Sequence, residues 1–295
     1  MQAFTNVLVS GLLLGGIYGL VSIGLNLIFG VVRIVNFAQG EFIMIAMYGA
    51  YLCFALFGLS PYLSVLVVAP AMFVFGLAVQ RLLLQPLRDE PLMQVFATFG
   101  LLILLQNVVL AATRGEGMSL AVSASRTVVD LGIARVNAGR LVVFAVTVLI
   151  TLALSLFLRR TMAGKAVRAV IQDRDGARAM GINVERTYLV VFATGAALAG
   201  LAGCLLAPIY TLSPYIGGNF ILAAFAVVVL GGMGSILGAY IGGLGVGVVE
   251  SLAGYYVDPG IKQAIWFVIF IAVLNVRPSG LLGQAGDDDH ALETH

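Results

Sequence analysis

This sequence predicts an all-α, polytopic membrane protein with about eight transmembrane helices, at least one of them broken. Three observations predict it. Hydrophobic residues make up 61% of the 295-residue chain and charged residues only 10%, too little polar surface for a soluble domain of that length. The apolar runs are continuous rather than alternating, which argues against a β-barrel. Glycines recur four apart inside those runs, the pattern that lets helix backbones approach closely in lipid. The formal net charge of +2 is too small to suggest a nucleic-acid partner.

The elements follow in order. A first span covers about Val7–Phe29, with Gly11, Gly15 and Gly19 in register. Residues 31–41, VVRIVNFAQGE, interrupt the apolar run with Arg33, Asn36, Gln39 and Glu41, so a tight loop or broken helix facing protein or water is expected there. Spans follow at about Phe42–Phe57, Pro61–Leu84 and Leu92–Ala112, with a charged surface loop at Gln85–Pro91. Gln106 and Asn107 in the fourth span are expected to hydrogen-bond between helices. Residues 113–140 alternate in short pieces and predict a small hairpin on the outer side. A fifth span, Leu141–Leu158, and a sixth, Tyr188–Ile209, flank a charged segment; Gly195, Ala199 and Gly203 repeat the small-residue spacing.

Residues 219–250 are longer than one crossing needs, and Gly231–Ser235 breaks them. The break reads either as a helix interrupted near the bilayer centre, presenting half-helix ends to a solute, or as a kink or re-entrant hairpin that only packs. Beyond it, Gly234, Gly238 and Gly242 form one ladder and Gly243, Gly247 and Ser251 another. A last span, Ile261–Val276, stops at Arg277-Pro278. The organisation expected is one transmembrane domain, residues 1–283, and a disordered acidic tail, residues 284–295, holding both histidines. The first ten residues have no Lys or Arg, so uncleaved insertion is expected. Cys53 and Cys204 lie in apolar runs and read as small buried residues.

The segment Arg159–Thr187 is the only long, densely charged stretch, and holds seven of the sixteen Lys+Arg residues. It reads as an amphipathic helix held crosswise at the membrane surface, with Ala163, Val167, Val170, Ile171 and Ala177 on one face and Lys165 and Arg168 on the others. Gly181 suits its C-terminal stop, and Asn183 with Glu185 the start of the next helix. Its charge places it on the cytoplasmic side. It could hold a cytoplasmic partner or anchor against anionic lipid. Eight single crossings would put Arg33, Arg81, Arg88, these seven and Lys262 inside. Arg114, Arg126, Arg135, Arg140 and Arg277 would then be outside, as would both termini. A hairpin at 219–250 would move the C-terminus to the other side.

The chain carries no motor of its own. It has no phosphate-binding G-x-x-x-x-G-K-[ST], no HExxH and no G-x-S-x-G. Ionisable residues available to a gradient-driven carrier reduce to Glu41 and Glu250, both near span ends, where a structural role is the commoner one.

The stretch GLVSIGLNLIFGVVRIVNFAQGEFIMIAMYGAY resembles the N-terminal region of Liv-type permeases, the membrane subunits of branched-chain (hydrophobic) amino-acid ABC importers. GKAVRAVIQDRDGARAMGIN, YIGGNFILAAFAVVVLGGMGSILGAYIGGLGVGVVES and RPSGLLG extend the likeness in order over nearly the whole chain, closer to the H-type than to the longer M-type partner. The resemblance implies a permease subunit, not an enzyme, in a bacterial inner (cytoplasmic) membrane. It implies a second homologous permease subunit, two cytoplasmic ABC ATPases that bind the ATP, and a periplasmic or extracellular solute-binding protein as partners. No cofactor is implied for the chain itself. The segment 159–187 takes the place of the family's coupling helix, with Lys165, Arg168, Asp173, Arg174, Ala177 and Gly181 as its expected ATPase-coupling residues. Asn36, Gln39 and Glu41 with Gly231, Gly232, Gly234 and Ser235 are expected near the substrate pathway. Gln39 stands where the family often has histidine (NFAHGE), which removes a titratable group. Urea or short amides are the alternative cargo, and a stand-alone secondary carrier or channel the alternative class.

Overall fold

The computed structural model describes residues 2–120, 128–130, 135–258, 262–276 and 280. The chain enters as α1 (Gln2–Val32), α2 (Gln39–Phe57), α3 (Pro61–Val79) and α4 (Pro91–Thr113). A two-stranded antiparallel hairpin, β1 (Val128–Asp130) and β2 (Arg135–Asn137), follows and leads into α5 (Ala138–Arg160). Two short helices, α6 (Met162–Gln172) and α7 (Arg174–Ala179), precede α8 (Val184–Leu206). The chain then runs through α9 (Ile216–Gly231), α10 (Ile236–Tyr256) and α11 (Lys262–Val276). Seven of these helices are long and apolar enough to cross a membrane; α9 is apolar but shorter. The acidic tail expected at 284–295 lies outside the described residues, as do 121–127 and 131–134 around the hairpin.

The helices are arranged around α1 and α8. In α1 83% of the most apolar window is buried within the chain and in α8 72%, against 6% in α4, so α4 turns nearly all of its surface outward. Small residues make the central contacts possible. Gly11, Gly15 and Gly19 of α1 meet Gly243, Gly247 and Ser251 of α10 in antiparallel register, so that a Cβ at Gly15 would lie 2.6 Å from Leu244 Cα. The second ladder of α10 serves another neighbour: Gly238 and Gly242 face Gly231 and Val227 of α9. Across the bundle, Gly76 of α3 faces Ala193 and Ala196 of α8, and Gly203 faces Ile43 and Ala46 of α2.

Helix starts are set by side chains. Ser60, Asn137, Thr161, Asp173, Asn183 and Ser235 each accept a backbone N–H in the first turn of the helix that follows.

The structure decides between open readings at the break and changes two expectations, the single surface helix and the Asn107 bridge. Of the two readings open for Gly231–Ser235, the structure shows the hairpin: the break is the turn between antiparallel α9 and α10, beside Gly30 near the C-terminal end of α1. Gly280 packs on the Gly232 backbone, at that same end of the bundle, in keeping with the hairpin alternative. The surface segment is two helices rather than one, because Asp173 adopts an extended conformation (φ −149°) and caps α7 with its own carboxylate. Asn107, expected to bridge helices, donates instead to the Ile103 carbonyl of its own helix at 2.8 Å.

Candidate functional site

At the end of the bundle where α1 stops, α6 and α7 pack against it. Gly164, Val167 and Val170 of α6 and Ala177 of α7 are buried; the last three pack with Val31, Val32 and Ile34 after α1 and with Val184 of α8. The opposite face is open, with Lys165, Arg168, Asp173, Arg174 and Gly181 all exposed. Met162 and Met180 stand almost fully out at 79% and 84%. Bare methionines among arginines make a surface fit for a protein partner rather than for water alone. Gly181 (φ 82°) ends α7 in the left-handed region, which lets the Ile182 N–H return to the Ala177 carbonyl at 3.0 Å. Arg174 lies 5.6 Å over the Tyr188 ring, and Arg88 pairs with Glu185 and with Asp89, tying this surface to the α3–α4 turn and to α8. The Glu185 hydrogen bond, more than Asp89, raises the Arg88 guanidinium above its ordinary value. Arg33, Arg88 and Arg174 converge on one cleft of about 400 Å³.

The second group lies deeper. Arg33 takes φ 57° and ends α1, and residues 34–38 fold back between helices before α2 begins. Such a backbone survives in a membrane only when its polar groups are met. Asn36 Oδ1 accepts the Ala38 N–H at 3.1 Å, Asn36 Nδ2 donates to Gln39 Oε1 at 3.1 Å, and Gln39 Nε2 donates to the Gly195 carbonyl at 3.1 Å. Thr98 of α4 accepts from Phe37 N and donates to Val35 O. Asn36 and Gln39 are fully buried, and their amides hold the re-entrant loop. Glu41 is buried too, its carboxyl against Gly217, whose lack of a side chain leaves the room. Its Oε2 has no hydrogen-bond partner among the described residues. Gly231, Gly232, Gly234 and Ser235 do not join this group. They form the hairpin turn, clamped by Asn26, which receives the Gly234 N–H and donates to the Ser235 carbonyl, both at 2.7 Å.

At the end of the bundle away from α6 and α7, a cavity of about 690 Å³ opens among α1, α5, α9 and α10. Tyr18, Arg140, Tyr210, Asn219, Phe220 and Glu250 face it. Glu250 is 3% exposed and accepts the Tyr18 hydroxyl at 2.8 Å. Burial pushes the Tyr210 phenol above its ordinary range; neighbouring Arg140 works against that shift and neighbouring Glu250 adds to it. The Met118–Leu212 bridge pins the segment after α4 to the loop after α8, whose Thr211 and Ser213 line the cavity. Tyr18, Asn26, Arg140 and Tyr210 escape sequence reasoning. The one available signal is a polar group at an otherwise apolar helical position, as at Asn26, and a lone such residue does not name its partner.

Comparison with known proteins agrees with this architecture. Residues 7–274 match the family described as branched-chain amino acid transport system, permease component. The high-affinity branched-chain amino acid transport system permease protein LivH of Salmonella typhimurium is 33% identical over 95% of this chain and 96% of its own length. BraD of Pseudomonas aeruginosa, with the same description, is 33% identical over 94% and 95%. The probable branched-chain amino acid transport permease protein LivH of Methanocaldococcus jannaschii is 32% identical over 90% and 88%. No solved structure matches. With the spanning helices, the ladders and a match over nearly its entire length, this chain is a multi-pass membrane protein and belongs to the branched-chain amino acid transport permease family.

Proposed function

We propose that this chain is the transmembrane permease subunit of an ABC importer, in a bacterial cytoplasmic membrane, that moves branched-chain or related small amino acids into the cell. The observation that carries the reading is the match across residues 7–274, with relatives covered almost end to end. Separate ATPase subunits bind the ATP, a solute-binding protein delivers the amino acid, and a second homologous permease completes the pore; the chain itself holds no cofactor. The exposed faces of α6 and α7, with Lys165, Arg168, Asp173, Arg174 and Gly181, dock on the ATPase, and Ala177 anchors α7 beneath them. The re-entrant loop with Asn36, Gln39 and Glu41 lies along the substrate pathway, and the turn Gly231–Ser235 closes its inner end.

Co-expression of this chain with a second permease and the ATPases, followed by reconstitution with the binding protein, tests the reading. The expected result is ATP-dependent accumulation of leucine, isoleucine or valine. Uptake of urea or short amides in place of these would overturn the cargo. Solute flux through this chain alone down a gradient would overturn the ABC assignment.

A further inference from the structure

We infer that the 690 Å³ cavity is the permease's own receiving site for an amino-acid zwitterion, with Arg140 holding the carboxylate and Glu250 the ammonium. The inference rests on the transport function proposed above and adds to it a place and two named charges. An aliphatic α-amino acid presents three groups within a few bonds: an anion, a cation and a branched apolar side chain. The cavity offers the complement of each. Arg140, half-buried in the first turn of α5, supplies a guanidinium suited to a carboxylate. Glu250, inside the bundle on α10, supplies a buried carboxyl group, oriented by the Tyr18 hydroxyl. Leu14, Ile216 and Phe220 supply an apolar wall, and Phe220 is itself fixed edge-on to Tyr210 at 5.4 Å between centroids.

The placement argues the same way. Ionisable residues within a membrane bundle are costly and, where they face a cavity, mark substrate pathways. This cavity lies at the end of the bundle opposite the basic helices, where a binding protein would release its load. Its volume is in the range of small-molecule sites. A neutral amide such as urea has use for neither formal charge, so the pairing favours a zwitterion over that cargo.

The test uses the complete complex in proteoliposomes, with leucine as probe and binding-protein-stimulated ATP hydrolysis as a second readout. Arg140→Gln and Glu250→Gln should each lower leucine uptake roughly tenfold or more, the order expected for losing one charge-assisted hydrogen bond. ATP hydrolysis should stay within about twofold of the unaltered complex, since the charges contact solute rather than the coupling surface. Arg140→Lys, which keeps the charge, should recover part of the uptake. Wild-type uptake by both Gln variants would overturn the site. So would loss of uptake and hydrolysis together in Arg140→Gln and Arg140→Lys, which would make Arg140 a structural strut. Should Glu250→Gln fail to assemble, Arg140→Gln, at the half-buried end of α5, decides alone. An unaltered complex that takes up no leucine overturns the functional reading itself, an outcome separable from failure of the site.

Discussion

Single polar side chains in this protein act mainly by closing gaps in the backbone's hydrogen bonding. Asn26 shows how. It lies in the apolar run of α1, and its amide meets both the Gly234 N–H, which the turn between α9 and α10 leaves without a helical partner, and the Ser235 carbonyl, which also accepts the Ala239 N–H. Asn26→Leu removes both bonds at once. Because Gly234 is itself exposed and the Ser235 carbonyl keeps its bond from the Ala239 N–H, the expected cost is about 1–2 kcal/mol. A thermal melt of the purified complex should show a lowered midpoint; an unchanged midpoint would mean the clamp contributes nothing. The sequence reveals that Asn26 is polar in a run of Leu, Ile and Phe but not that its partner is 209 residues away. Asn36 and Gln39 were legible as a polar interruption for the opposite reason: they bond each other at a separation of three. Glu250 was visible only as a carboxylate near a span end, because Tyr18 and Arg140, which share its cavity, are reached through the fold.

At the scale of elements, the glycine ladders were legible and their pairing was not. Spacing puts Gly243, Gly247 and Ser251 on one helix face and Gly238 with Gly242 on another, whereas Gly234, in the same spacing, falls in the turn before α10. Only the fold shows that the first ladder meets α1, while Gly238 and Gly242 of the second meet α9. The consequence can be checked within one helix. A Cβ at Gly247 would lie 2.6 Å from the Gly11 carbonyl oxygen, whereas one at Gly245 meets nothing within 4 Å. Gly245→Ala should therefore be neutral or stabilising, by up to about 1 kcal/mol from helix propensity. Gly247→Ala, two residues on, should lower the melting midpoint and the yield of assembled permease; equal behaviour of the two would refute the close α1–α10 contact. The amphipathic period of the surface segment was legible as well, but its division at Asp173 was not, since one Asp suits a cap or a solvent face equally. With α7 separate, Gly181→Trp places a bulky ring in open space at a strained left-handed position, on the face proposed to meet the ATPase. That variant, and Arg168→Glu with Arg174→Glu, should leave the permease inserted and hydrolysis running while uptake falls; normal coupled uptake would remove α6 and α7 from the coupling role.

For the whole molecule, fold class and spans follow from hydropathy, but the side of the C-terminus does not, and the reason is arithmetic. Making α9 and α10 a hairpin exchanges Lys262 for Arg277 between the two faces, so the Lys/Arg balance is the same in either topology and the positive-inside rule cannot choose. Packing chooses. The α9–α10 turn lies by Gly30, at the α6–α7 end of α1, and Gly280 rests against Gly232 of that turn, so Gly280 shares a face with the basic helices. Asp258, between α10 and α11, is then at the opposite face, near the cavity end. The two native cysteines, Cys53 and Cys204, are both buried and free, which leaves a low background for thiol chemistry. In intact cells, a membrane-impermeant maleimide should label Asp258→Cys and leave Met180→Cys untouched. Met180 is 84% exposed, so inverted vesicles should reverse the result. A cysteine appended after His295 should behave as Met180→Cys does. Labelling of that terminal cysteine from outside, with Met180→Cys still protected, would restore the single broken crossing and take α9 and α10 apart as a hairpin. Labelling of Met180→Cys from outside would invert the whole molecule and remove α6 and α7 from reach of any cytoplasmic ATPase.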